Sequence, residues 1–531
     1  MSEISEKVEM TEVEIPVLVL GGSLVGLSAG LFLADCGVPC IVIEKHLGSS
    51  PHPRAIGYTE HTMEFFRHAG LGDLIPHQKP GMRLRRVRAT SLFGQWFEES
   101  SWSGKPNAPK LAHFSPCTGA AIAQDKLEPL LRTRASQLGC DIRQKTTLLE
   151  FKQNDGNVEA TVRDEIAGHS YKIKAQYMIA ADGAKSSTRE ALGIERIGRG
   201  YIQTLSSLLF ECPEADSLLS KGVSQFDIDQ PDLRAFMTTY NDGRWAIMFR
   251  DNVERTSGEL LEAAQRAVGL SEAQIKPIAF GNWDLAALIC ETYSKGRVFL
   301  AGDAAHCLPP TRGGYGANTG IDDVHNLAWK LKFVIDGKAS PSLLDTYSDE
   351  RQPIGWLRHQ QTFARPDYAS VSQGIAKDEE ILDDAGMELG QLHLSSSVCG
   401  ADETTTLAKR PDLWKGQPGV RAPHAWIMRS EMRISTIDLF DKKFVLLSEC
   451  EDWSKAVDAA RVKFEINVDF FLVGKDIVFD QELEFQEKFG VGPFGASLVR
   501  PDGLVGWRAK EREGDPSNAL NATLSQILFP E

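Results

Sequence analysis

Two rhythms of apolar and polar residues run along this chain. Val13 to Leu20 is an almost unbroken apolar run, as expected for a strand buried on both faces. Leu24, Leu27 and Leu31 then recur on one face of a helix predicted over Leu24 to Cys36, and Val38 to Glu44 reads as a second strand, which makes a strand-helix-strand unit. Short apolar strands recur at Gln176 to Ala181 and Arg297 to Ala301, and a helix is expected from about Thr319 through Asp322, Asn326, Trp329 and Leu331. Between 200 and 290 the rhythm changes to short alternating strands: Leu205 to Glu211, Ser224 to Asp229, Arg234 to Tyr240 and Arg244 to Arg250. Asn241-Asp242-Gly243 is a hairpin turn that sets Tyr240 opposite Arg244. Alternation then puts Met237, Trp245, Ile247 and Phe249 on one side, a face suited to roofing an aromatic substrate, although packing onto a helix would explain the same pattern. Tyr240 and Arg250 are the polar candidates there for catalysis.

A chain of 531 residues suggests about three structural units. Apolar residues at 42% and charged residues at 25% describe a globular protein, and a net charge of −15 disfavours nucleic acid and acidic membrane surfaces as partners. Ile15 to Ala34 is twenty residues without a charge, yet its glycines and Pro16 fit a buried strand, turn and helix better than a membrane span. The acidic first residues carry no export pattern, and nine cysteines without CxxC or zinc spacing suit a reduced, cytoplasmic protein with no metal.

The chemistry concentrates at turns. Gly21-Gly22-Ser23-Leu24-Val25-Gly26 meets the GxGxxG dinucleotide fingerprint except that Ser23 replaces the middle glycine, and Glu44 closes the next strand where an acid can accept from a ribose diol. Gly490 to Gly495 also fits GxGxxG but leads into strand, turn and strand, so it is read as a turn before a hairpin. Two further strand ends carry Asp182-Gly183 and Gly302-Asp303, positions where doubly wound sheets bind ligands. The glycine-rich loop after Pro309-Pro310 leads through Gly316, Ala317 and Asn318 into a helix whose start favours an anionic group. His306 and Cys307 are read as structural, since neither a third metal ligand nor a catalytic partner is placed beside them.

Together these motifs resemble the class A flavin-dependent aromatic hydroxylases, the para-hydroxybenzoate hydroxylase-like family. Glu44-Lys45-His46, His52-Pro53-Arg54-Ala55, Gln124-Asp125-Lys126-Leu127-Glu128 and Asn326 to Leu331 are most similar to its phenol and polyketide hydroxylase branch. The resemblance implies an α/β fold in which a Rossmann-like FAD-binding domain (1–199 and 290–370) carries an inserted mixed-sheet substrate domain (200–289). A linker (371–418), read as polar and solvated, then leads to a thioredoxin-like domain (419–531) without a CxxC pair. It implies that Glu44 and Lys45 lie at the adenosine end of FAD, that Arg54 and Gln124 line the flavin chain, and that Asp182 supports the pyrophosphate and the passage of NAD(P)H. Asp303 would hold the ribityl group. Asp303 to Asn318 is fifteen residues, one more than the family commonly shows before its loop asparagine. The implied reaction takes NADPH or NADH, with NADPH favoured, and dioxygen, and passes through a flavin 4a-hydroperoxide to hydroxylate a phenolic or polycyclic aromatic metabolite. The alternatives are Baeyer–Villiger or rearranging oxygenation of a ketone, and a flavin- and phenol-binding protein without turnover. The C-terminal domain is expected to be structural, serving homodimer assembly or pocket closure.

Overall fold

The computed structural model describes residues 11–50, 55–77, 85–101, 113–221, 223–271, 274–310, 315–369, 371–512 and 514–530. Its first sheet is built around parallel strands in the order Val298–Leu300, Ser170–Ala180, Glu12–Leu20, Cys40–Glu44 and Asp141–Gln144. The helix Leu24–Asp35 is apolar nearly all round because it is covered on more than one side, by the sheet and by the helices Gln124–Gln137 and Tyr315–Ile335. Strands that end together at Leu20, Glu44, Ala180 and Leu300 open a crevice at their carboxyl ends, the place where such sheets take ligands.

The second sheet runs His306–Cys307, Lys276–Cys290, Arg196–Glu211, Arg244–Phe249, Leu233–Thr239, Val223–Gln230, Arg85–Ala89, Trp96–Ser101. The hairpin register is as expected, with Thr239 opposite Trp245 and the Tyr240 N–H donating to the Arg244 carbonyl at 3.0 Å. The domain boundary shifts at several places: Arg85–Ala89, Trp96–Ser101, residues 196–199 and His306–Cys307, all placed by sequence in the nucleotide domain, lie in the second sheet. Arg85–Ala89 pairs in parallel with Val223–Gln230, so a segment placed by sequence in the nucleotide domain belongs to the second sheet. Val87 and Ala89 bury their side chains in that sheet's core, which explains the exchange.

The third unit is a four-stranded sheet, Val468–Leu472, Phe444–Ser448, Ala496–Val499 and Val505–Ala509, with the helices Asp452–Phe464 and Pro516–Leu528 packed on it. The rejected glycine motif does lead into the antiparallel pair Ala496–Val499 and Val505–Ala509. Residues 371–418 are only partly the solvated linker that composition suggested. Asp378, Glu379 and Glu380 are exposed, but Met387, Leu389, Leu392 and Cys399 are buried, and the helix Asp384–Leu389 packs against Glu60–His68. The acidic run hid an apolar segment that has its own partner. Among the described residues no helix is long and apolar enough to cross a membrane.

Candidate flavin site

The first turn is shaped by what glycine leaves out. Gly21 has φ +99°, and a Cβ there would lie 2.3 Å from the Ala181 carbonyl oxygen; one on Gly26 would lie 1.8 Å from the Gly21 oxygen. Gly22 is equally confined, 2.6 Å from the Glu44 Cβ, and its N–H donates to Glu44 Oε2 at 2.7 Å. The His46 N–H donates to the other carboxylate oxygen at 2.8 Å, so Glu44 is fixed at the strand end with lone pairs to spare for a ribose diol. Lys45 is exposed beside it.

Ser23, the departure from the fingerprint, lies aside. Its hydroxyl donates to Glu128 Oε1 at 2.7 Å and accepts from Gln124 Nε2 at 2.9 Å, leaving the backbone of the turn open to a pyrophosphate. Gln124 also donates to Glu128 at 2.8 Å, so its amide serves the turn. Arg54 lies outside the described residues.

Leu24 is buried in the core and Val25 wedges the far side of the crevice: a Cβ on Gly302 would come 2.9 Å from Val25 Cγ2, and one on Gly320 only 2.6 Å from it. The dinucleotide turn, the Gly302-Asp303 turn and the helix Tyr315–Ile335 therefore meet at one point. Gly302 has φ +59° and its N–H donates to Asp323 Oδ2 at 3.2 Å. Asp323 in turn takes His306 Nε2 at 2.7 Å and Arg351 Nε at 2.9 Å, and Arg351 continues to Asp322 at 2.6 Å and His393 at 3.0 Å. This buried network was not visible as a motif, because its members are spread over separate elements. His306 is held in this network by Asp323, and burial pushes the Cys307 thiol up to about 12, an inert sulfur at neutral pH. Among the described residues no group of His, Cys, Asp or Glu is placed to hold a metal.

The helix starts at Tyr315, four residues before the predicted Thr319, so Gly316 and Ala317 lie in its first turn, where backbone N–H groups have no intrahelical acceptor. Gly316 faces Asp303, with 3.9 Å between its Cβ position and Asp303 Oδ1. Asn318 is placed differently from expectation. It is 3% exposed and turns to the neighbouring helix, its Oδ1 accepting from the Thr59 N–H at 3.0 Å and the Thr62 hydroxyl at 2.7 Å while its Nδ2 donates to the Gly57 carbonyl at 3.2 Å. Spacing located the residue but could not tell which way its side chain points.

At the third strand end Asp182 Oδ2 accepts the Thr188 N–H at 3.2 Å, while Asp182 Oδ1 and Thr188 Oγ1 are buried without a hydrogen-bonding partner. Orphaned polar atoms beside a turn that only glycines fit are what a bound phosphate-bearing cofactor would satisfy. The residues present therefore fit FAD: Glu44 for the ribose, the Gly21–Gly26 turn for the pyrophosphate, Asp303 and the start of the Tyr315–Ile335 helix for the flavin end.

The proposed substrate face requires correction. Met237, Trp245, Ile247 and Phe249 are at most 1% exposed and pack under the helix Ser257–Val268 through Leu260, Ala264, Ala267 and Val268. The opposite face of the same strands meets the nucleotide domain, with Leu209, Tyr240 and Ala246 packed on Ala123 and Ile56. A second cluster joins Leu205, Leu285 and Ala287 to Phe363 and Tyr368, and Met248 borders both. Tyr240 thus lies in the seam between the second sheet and the nucleotide domain, where burial pushes its hydroxyl well above the usual phenol range. Arg250 is exposed and stacks on the Phe236 ring at 5.3 Å.

Glu388, inside the supposed linker, is a buried acid that the sequence reading missed. Burial raises its carboxyl to about 7, against the attraction of Arg358 at 3.6 Å. A carboxyl raised above its unfolded value favours the folded state at low pH, and that contribution is lost as pH rises through the folded value. Glu388→Gln is therefore expected to remove up to about 3 kcal/mol of stability loss between pH 5 and pH 8. Thermal midpoints measured across that range should fall for the unaltered protein and stay flatter for the variant.

A parallel sheet with this glycine turn, an acid closing the next strand and a second Gly-Asp turn defines a flavin-nucleotide-binding oxidoreductase that carries a second, mixed sheet. The comparisons agree. Residues 14–362 match the family described as FAD binding domain, and 415–529 match aromatic-ring hydroxylase, C-terminal. The chain belongs to the FAD-dependent aromatic-ring hydroxylase family. It is 34% identical to aklavinone 12-hydroxylase of Streptomyces purpurascens, covering 98% of this chain and 100% of that one. It is 32% identical to 4-methyl-5-nitrocatechol 5-monooxygenase of a Burkholderia species, covering 97% and 98%. The solved aklavinone-11 hydroxylase, a ternary complex with FAD and aklavinone, superposes with a TM-score of 0.87 at 32% identity over 97% of this chain and 99% of that one.

Proposed function

We propose that this monooxygenase takes its electrons from NAD(P)H, with NADPH favoured, and transfers one atom of dioxygen to the ring of a polycyclic phenol of polyketide type. Bound FAD supplies the redox and oxygen chemistry. The chain's task is to hold the cofactor, orient the ring and keep water out. The observation that carries the substrate class is the apolar seam between the second sheet and the flavin domain, where two clusters share Met248 and are bordered by Ile56, Ala279 and Trp283. Such a surface suits a flat, neutral, many-ringed molecule, in keeping with aklavinone in the similar complex. Tyr240, held protonated by burial, orients a substrate oxygen as a donor and does not act as a base at neutral pH. All nine cysteines are free, which supports a reducing, cytoplasmic setting.

The test is NADPH consumption with a panel of ligands: tricyclic and tetracyclic phenols, single-ring catechols, and ketones of matching size. Polycyclic phenols should stimulate consumption most. Equal stimulation by catechols would overturn the substrate class, stimulation by ketones alone would point to oxygen insertion beside a carbonyl, and no stimulation by any would make the protein a binder.

A further inference from the structure

We infer that Arg421, in the segment leading into the C-terminal domain, is a positioning residue for the flavin-facing helix start, acting through Glu64 and the helix Glu60–His68. The inference rests on the reading that the crevice binds FAD. Arg421 donates to Glu64 through Nε at 2.8 Å and NH2 at 2.5 Å, a two-pronged bond between side chains 6% and 4% exposed. The Ser115 hydroxyl adds a third donor to Glu64 at 2.5 Å. Despite burial, the Arg421 charge and these donors hold the Glu64 carboxyl below its ordinary range, so the pair is ionised at neutral pH. A second tie from the same domain, Asp438 to Arg67 at 2.9 Å, grips the end of this helix.

The other end of the helix is where Asn318 is engaged. Thr59 caps it, accepting from the Thr62 N–H, and the Thr59 N–H and Thr62 hydroxyl are the donors that Asn318 accepts. Asn318 follows Gly316 and Ala317 in the first turn of the helix, and the Cβ position of Gly316 lies 3.9 Å from Asp303 Oδ1. One short, rigid helix therefore connects a buried ion pair at the C-terminal domain with the groups aimed at the cofactor. Thr62 and Glu64 lie within a single turn of that helix, so a shift at Glu64 moves Thr62 with it. This gives the domain without a dithiol a role in cofactor geometry.

The experiment is a double-mutant cycle read in FAD affinity of the full-length protein, by flavin fluorescence during reconstitution, with thermal midpoints alongside. Glu64→Gln and Asn318→Ala are each expected to weaken FAD about ten-fold, and the double variant to be little weaker than the poorer single, because both break one linkage. Arg421→Lys, which keeps the charge but not the two-pronged geometry, should fall between the unaltered protein and Glu64→Gln and serves if the latter does not fold. FAD affinity unchanged within two-fold in Glu64→Gln or Arg421→Lys, with a lowered midpoint, would make the pair merely structural and overturn the inference. Multiplicative losses in the double variant would overturn it too. Failure of the unaltered protein to bind FAD would defeat the cofactor reading itself, a distinguishable result.

Discussion

Gly26→Ala is expected to yield a protein that does not retain FAD. A methyl group at that position would sit 1.8 Å from the Gly21 carbonyl oxygen, far inside contact distance and against backbone that cannot step aside. The turn must open, and with it go the Gly22 N–H bond to Glu44 and the approach of the pyrophosphate to the turn. Gly258→Ala is the control: it lies in the surface helix Ser257–Val268 with nothing within 4 Å of its Cβ position and should be neutral or slightly stabilising. Flavin content after purification, by absorbance against protein, separates the two. Full occupancy in Gly26→Ala would show that the crevice described is not the cofactor site.

Glu350→Gln is expected to cost about 3–5 kcal/mol of stability, because it breaks a buried charge network at the junction of the flavin and C-terminal domains. Glu350 takes Arg500 at 2.7 and 2.9 Å, Lys330 at 2.9 Å and Asn326 at 2.7 Å, with the Ser395 hydroxyl at 2.8 Å. Asp502 pairs with the same Arg500 at 2.5 Å and accepts the Trp329 indole N–H at 3.0 Å. Arg500 and Lys330 together hold the Glu350 carboxyl well below its usual range, while burial outweighs Glu350 for Lys330 and lowers the amine to about 8. The Glu350 contribution is therefore fully present at neutral pH and is lost as acid brings the pH down through the depressed value. Removing the carboxylate alone strands Lys330. Glu350→Gln combined with Lys330→Met, which leaves the Arg500–Asp502 pair, should lose less than Glu350→Gln by itself, as read from chemical denaturation.

The dinucleotide turn was legible because its chemistry is local: strand, glycines, helix and acid follow one another within a single unit, and only glycine fits the close approaches at Gly21 and Gly26. The hairpin at Asn241-Asp242-Gly243 was legible for the same reason. The substrate face was not, since alternation tells which residues share a side and not which side receives a helix, and both sides of these strands are apolar. The stripe Leu260, Ala264, Ala267 and Val268 on Ser257–Val268 was the missing signal, because it needs an apolar partner and Trp245 and Phe249 supply it. Asn318 was found by position, while the direction of its side chain was not readable from spacing. The pairings of Asp323, Arg351, Glu350 and Arg421 escaped notice because buried ion networks are assembled across distant segments, and nothing in the local pattern distinguishes such a charge from an exposed one.

If this protein places one atom of dioxygen on a polycyclic phenol, the oxygen in the product must come from the gas. The most direct measurement is mass analysis of product formed with NADPH under oxygen-18 gas in ordinary water. The expected product is heavier than its substrate by a single labelled oxygen on an intact ring system, with label absent when oxygen-18 is supplied as water. Product labelled from water, or NADPH consumed with hydrogen peroxide as the sole oxygen product for every phenol supplied, would contradict it.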